Sequence, residues 1–94
     1  MEIIRKQDRT VNSAKALVNR GERQCLNAQC LSALYSLAEK LKQDGVSTSG
    51  GEDQKGGYLI HFISGEALWR HLPQIETAVM QNDDSAFITL INCP

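Results

Sequence analysis

Apolar and polar positions along this chain follow two rhythms, and both are clearest between Tyr58 and Asn92. Residues 58–63 (YLIHFI) form a short apolar run of aromatic and β-branched side chains, which is strand composition. Ser64 then stands where a helix N-cap belongs. Leu68, Leu72, Ile75 and Val79 follow at spacings of four, three and four, and so share one helical face. Asn82-Asp83-Asp84-Ser85 breaks that helix, and residues 86–91 make a second strand. Pro73 lies inside the helical stripe without shifting its phase, so the expectation is one kinked helix, or two short ones with Pro73 in the first turn of the second. A βαβ unit takes about 30 residues or more. Residues 58–92 therefore fit a right-handed parallel crossover.

Upstream, residues 27–45 carry the strongest helix signals. Asn27 is an N-cap with Leu26 before it positioned to staple onto Leu31. Leu31, Leu34, Ala38 and Leu41 form an apolar stripe widened by Cys30 and Leu37. Lys40 and Lys42 sit in the last turns, where the helix dipole favours cations, and Gly45 ends the helix. An earlier helix is predicted from a cap at Thr10 or Asn12 through Arg20, with Val11, Ala14, Leu17 and Val18 on one side and Gly21 as its stop. Residues 1–4 allow a short extra strand. Between Gly45 and Tyr58 the chain reads VSTSGGEDQKGG, a flexible loop over 46–57, or a hairpin arm whose first strand is 46–49 and whose tip is 50–57.

These elements predict a single α+β domain over residues 1–94, in the order α-α-β-α-β, with helices packed on one face of a two- to four-stranded sheet. Ninety-four residues hold one small core, and the 41% hydrophobic and 22% charged fractions are those of an ordinary soluble globular chain. The N-terminus lacks the apolar h-region of a signal peptide, and no apolar run approaches the ~20 residues that span a bilayer. Three cysteines (Cys25, Cys30, Cys93) make no paired disulfide framework. A reducing, cytoplasmic setting and no membrane partner are expected.

The net charge of −1 conceals an asymmetry: residues 1–24 sum to +3 and the remainder to −4. That pattern suggests either a solvated basic face or a docking surface for an acidic partner. Direct nucleic-acid binding through segment 5–23 is less favoured, because the pI is about 6.1 and the segment holds no aromatic residue for base stacking.

The remaining chemistry is sparse. Cys25 and Cys30 are separated by four residues and straddle a helix cap, while His61, His71 and Cys93 are scattered, so no metal set is assigned. A thiol enzyme would rest on Cys25 or Cys30, yet Cys30 lies in the apolar stripe, where burial makes a thiol inert. The Gly50–Gly57 segment has glycines and a lysine, without the order of a phosphate-binding loop. No catalytic residue and no cofactor is assigned. The expected function is that of a small non-enzymatic protein that binds another protein as a regulator, inhibitor or adaptor. Its expected contacts are Arg5, Lys6, Arg9, Trp69 and Arg70, and a second copy joined through an uncharged strand edge is a further candidate partner.

Overall fold

The structure is a computed structural model that describes residues 2–3, 12–20 and 25–92. Its elements run β1 (Glu2–Ile3), β2 (Ala14–Asn19), α1 (Ala28–Gln43), β3 (Ser47–Glu52), β4 (Tyr58–Phe62), α2 (Gly65–Asn82) and β5 (Phe87–Asn92). All strand pairs are antiparallel, and their order across the sheet is β1-β5-β2-β4-β3. The α+β class holds, with β2 and β4 at the centre, and β1 adds a short fifth strand where residues 1–4 allowed one. β2 and β3 run parallel with β4 between them, and β4 and β5 run parallel with β2 between them. This is the split β-α-β arrangement. The expected crossover from β4 through α2 to β5 is present in direction, but its two strands are not neighbours.

The segment read as a first helix is the central strand β2, so the observed order is β-α-β-β-α-β after the short β1. Ala14, Ala16 and Val18 are fully buried and alternate with half-buried Lys15, Leu17 and Asn19, a period of two. The helical reading had grouped Ala14, Leu17 and Val18, whereas the strand sends Leu17 to the opposite face. Register carries the division across the sheet. Ala16 pairs with Ile60 and Leu90 on the side toward the helices, and Leu17 pairs with Leu59 and Thr89 on the other.

Both helices pack on the Ala14–Ala16–Val18 side. The side chain of Asn27 accepts from the Cys30 N–H at 2.7 Å, and Ser64 Oγ accepts from the Ala67 N–H at 3.1 Å, so both expected N-caps are made. α1 buries Cys30, Leu34, Ala38 and Leu41, and Gly45 just past its end takes φ +77°, a value glycine tolerates without strain. α2 is one continuous helix through Pro73; it buries Gly65, Ala67, Leu68, Ile75 and Val79 and leaves Leu72 half-buried. With Tyr58, Ile60 and Phe62 of β4, these side chains form the core.

The segment expected to be a flexible loop over 46–57 is largely a strand. β3 extends to Glu52 and pairs with β4, so the hairpin alternative was right in kind but placed its tip too early; the turn is Asp53–Gly57. Asp53 holds that turn by accepting from the Lys55 and Gly57 N–H groups. Gly50 is in the strand because α1 needs the space: a Cβ there would stand 2.8 Å from Ala38 Cβ and 3.0 Å from the Tyr58 hydroxyl. β4, uncharged apart from His61, is paired on both sides and offers no edge.

Candidate functional site

Two places concentrate side-chain chemistry, and they do different work. The first is the junction where the C-terminus of α2 meets the N-terminus of α1. Asp83 is buried there, 3.3 Å from Arg20 Nε, and accepts from the Asn27 and Ser85 backbone N–H groups. Asn27 Nδ2 donates to the Asn82 carbonyl at 2.6 Å. Together these bonds satisfy backbone groups that helix ends leave open, and they set a carboxylate against the positive end of α1. Cys30 lies beside this cluster, fully buried. Burial and, secondarily, the Asp83 charge push its thiol pKa up, away from the thiolate that a nucleophile needs. Cys25 is exposed and unbridged. Among the described residues, no group of three or more His, Cys, Asp or Glu is placed to hold a metal ion. The junction ties the two helices together.

The second place is a groove between α2 and β5, about 370 Å³ in volume. Leu72, Glu76, Val79 and Met80 form one wall, and residues 86–88 with Leu90 form the other. On α2, the wall arises from residues spaced by three and four, which stack on one helical face. On β5, Ile88 and Leu90 share a face with Val18 and Ala16 through the strand register. α2 packs mainly over β2 and β4, so the β5 side of the layer is left incompletely covered. Met80 is 72% exposed and Phe87 62% exposed, the two highest values among the exposed large apolar residues described. Among the described residues that line the groove, only Glu76 is charged.

The sheet face away from the helices carries Lys15, Leu17, Leu59, His61 and Thr89 on its three broadest strands. Leu17 and Leu59 occupy its middle, where a base-stacking surface would need aromatic rings. Phe87 reaches this face only at the β5 side, opposite Asn19.

The residues expected as contacts are dispersed. Arg5, Lys6 and Arg9 lie outside the described residues. Trp69 is half-buried and packed against the core. By helical spacing it stands on the same stripe as Leu72, Glu76 and Met80, one turn before the groove. Arg70 is exposed and pairs with Glu66 at 3.8 Å on its own helix. Of the other basic residues in segment 5–23, Arg20 is engaged by Asp83 and Lys15 is half-buried in the sheet. Met80 and Phe87 were not singled out from the sequence, although one signal was present: in Phe87-Ile88-Thr89-Leu90-Ile91 only Thr89 is polar. A strand with one wet face should alternate, so a strand apolar on both faces implies a second covering surface. No helix among the described residues is long and apolar enough to cross a membrane. Comparison of the chain with protein-family models, curated proteins and solved structures finds no match.

Proposed function

We propose that this chain is a non-enzymatic protein-binding protein, of regulatory, inhibitory or adaptor type, whose binding surface is the α2–β5 groove. One observation carries the reading: the α2–β5 groove is apolar on both walls, with Leu72, Val79, Ile88 and Leu90 lining it and Met80, the most exposed large apolar side chain described, at its rim. Scattered apolar residues on a surface are ordinary, but apolar residues gathered around a concavity mark interaction sites. Methionine suits such a surface because its flexible thioether adapts to different apolar partners, and aromatic anchors dominate binding hot spots. A cytoplasmic setting accords with the unbridged Cys25 and Cys30. The nucleic-acid alternative draws less support, since Arg20 of the basic segment is already paired and the middle of the open sheet face is aliphatic. A thiol enzyme on Cys30 is disfavoured by the raised pKa of that buried group.

The experiment compares tagged wild-type protein with the double variant Met80→Glu, Phe87→Lys as baits in a cell lysate. Both positions are exposed, so the variant should retain its circular-dichroism spectrum and melt within about 0.5 kcal/mol of wild type. The expected result is a set of proteins captured by wild type and lost by the folded variant. Equal capture by the two baits would overturn the reading.

A further inference from the structure

We propose that the seam between α1 and β3 holds a second site, a small pocket that takes a primary alkylammonium group. It lies at the other side of the sheet from the α2–β5 groove and is independent of the groove reading.

The first argument is the space. Ala38 of α1 faces Gly50 of β3, and two small residues at one contact leave a hollow of about 140 Å³ beside them. Tyr35, Glu39 and Lys42 of α1 border it, and Tyr58 reaches it from β4. At about 30 Å³ of liquid volume per water, it has room for roughly four or five waters or for an unbranched amine of similar bulk.

The second argument is a polar group aimed into that space. Tyr58 is 1% exposed, yet its hydroxyl stands 3.0 Å from where a Gly50 Cβ would be, on the side that the missing side chain opens. Its ring meets Tyr35 edge-on, and among the described residues its hydroxyl has no hydrogen-bond partner. Buried polar groups ordinarily have one. A ligand N–H donating to the phenol oxygen would supply it.

The third argument is the sign of the charge. Burial holds the Tyr58 phenol neutral, and the nearby Tyr35, Glu52 and Glu39 add to that effect. The two glutamates set a negative field at the hydroxyl. Glu52 is kept beside the pocket by the 2.7 Å hydrogen bond that it accepts from Tyr35. Glu39 accepts a long 3.4 Å bond from Gln43 on its own helix and joins no ion pair among the described residues. Lys42 at the rim offsets one of these carboxylates, which leaves the surroundings net negative. An ammonium group can therefore donate to the Tyr58 oxygen and to Glu39 at once, and such charge-assisted bonds are the stronger kind. A carboxylate or phosphate would meet the glutamates, and an alcohol would gain nothing from them. The same chemistry has two sources: a free small amine, or a lysine of another protein, whose side chain is a four-carbon stem ending in ammonium.

The test is a titration of the full chain with n-butylammonium chloride at constant ionic strength, followed by backbone amide chemical shifts. n-Butanol and sodium butyrate serve as matched probes without the positive charge. The ammonium should give saturable shifts centred on residues 38–42 and 49–50, with a millimolar midpoint, and the other two probes should not. Tyr58→Phe and Glu39→Gln should each raise that midpoint about fivefold or more. Lys42→Gln removes a like charge and should lower it. Glu39 and Lys42 are exposed, so those two variants test the site even where Tyr58→Phe disturbs the fold. No saturable shift, an equal response to butanol, or a midpoint that Glu39→Gln and Lys42→Gln leave unchanged would overturn the proposal. Nα-acetyl-lysine methylamide then separates the sources. A midpoint equal to or below that of butylammonium assigns the pocket to a lysine side chain, and a higher one assigns it to a free amine.

Discussion

At the β3 edge of the sheet, α1 lies so close that only a glycine fits at position 50, and Tyr35 closes the gap by donating a 2.7 Å hydrogen bond to Glu52. Tyr35 also meets Tyr58 edge-on, with ring centroids 5.0 Å apart. At the β5 edge, α2 stands over the neighbouring strands, and Met80 and Phe87 remain in solvent beside an apolar groove. Among the described residues, the same two-layer plan thus ends in a tightly packed seam at β3 and a looser, apolar one between α2 and β5. The difference lies in side-chain size and polarity. Small residues permit close approach and a polar strap finishes the seam, whereas large apolar residues at a looser seam need something else to cover them.

Breaking the tight β3 seam should have the largest effect. Gly50→Val places branched carbon where a Cβ already stands 2.8 Å from Ala38, and overpacking of this kind costs about 1–3 kcal/mol. Urea unfolding would show the loss, and adding Ala38→Gly should recover part of it. Full recovery is not expected, because the Tyr58 hydroxyl also crowds the site. A Gly50→Val protein as stable as wild type would mean that α1 is free to back away from β3.

Tyr58 provides a milder test. Its burial, aided by the nearby Tyr35, Glu52 and Glu39, pushes its hydroxyl pKa up to about 12 from a usual value near 10. The folded state holds the neutral phenol more tightly than the unfolded chain does. This contribution is complete below about pH 10 and is lost as the pH rises from there through about 12. Alkaline unfolding followed by circular dichroism should begin in that window, and Tyr58→Phe should move its midpoint upward. An unchanged midpoint would argue that another group governs alkaline unfolding.

The smallest effect should come from the strap itself. Tyr35→Phe keeps the ring contact and removes the bond to Glu52, which is exposed, so only a small loss of stability is expected. Hydrogen exchange in β3 should quicken while exchange in β5 holds steady, since the two edges share no side-chain contact through Tyr35. Equal quickening at both edges would show that the sheet opens as one unit and that the contrast between its margins has no energetic counterpart.

The candidate site was legible only in part. The α2 wall could be read from the helical stripe, which correctly placed Leu72 and Val79 on the inward side. The β5 wall was legible as an uncharged strand, and a strand-edge partner followed from it. What the sequence did not reveal was that Met80 and the β5 residues Ile88 and Leu90 border one groove. Their proximity depends on how far α2 lies from β5, a quantity set by the packing of Leu68, Ile75 and Val79 over the central strands. Trp69 drew attention through its residue type, yet the fold uses it against the core.

By itself, the sequence determined α1, α2, β4, β5 and both helix caps, because caps and apolar periods act between residues a few positions apart. Only the tertiary structure decided β2 and β3. The six residues Ala14-Lys15-Ala16-Leu17-Val18-Asn19 satisfy a helical and a strand period almost equally. Their place between β4 and β5, with backbone bonds to both, settles the matter. The polar, glycine-rich β3 has almost no apolar surface of its own to bury. It is a strand because β4 offers it a ladder and α1 leaves it room, and both of those partners lie outside the segment.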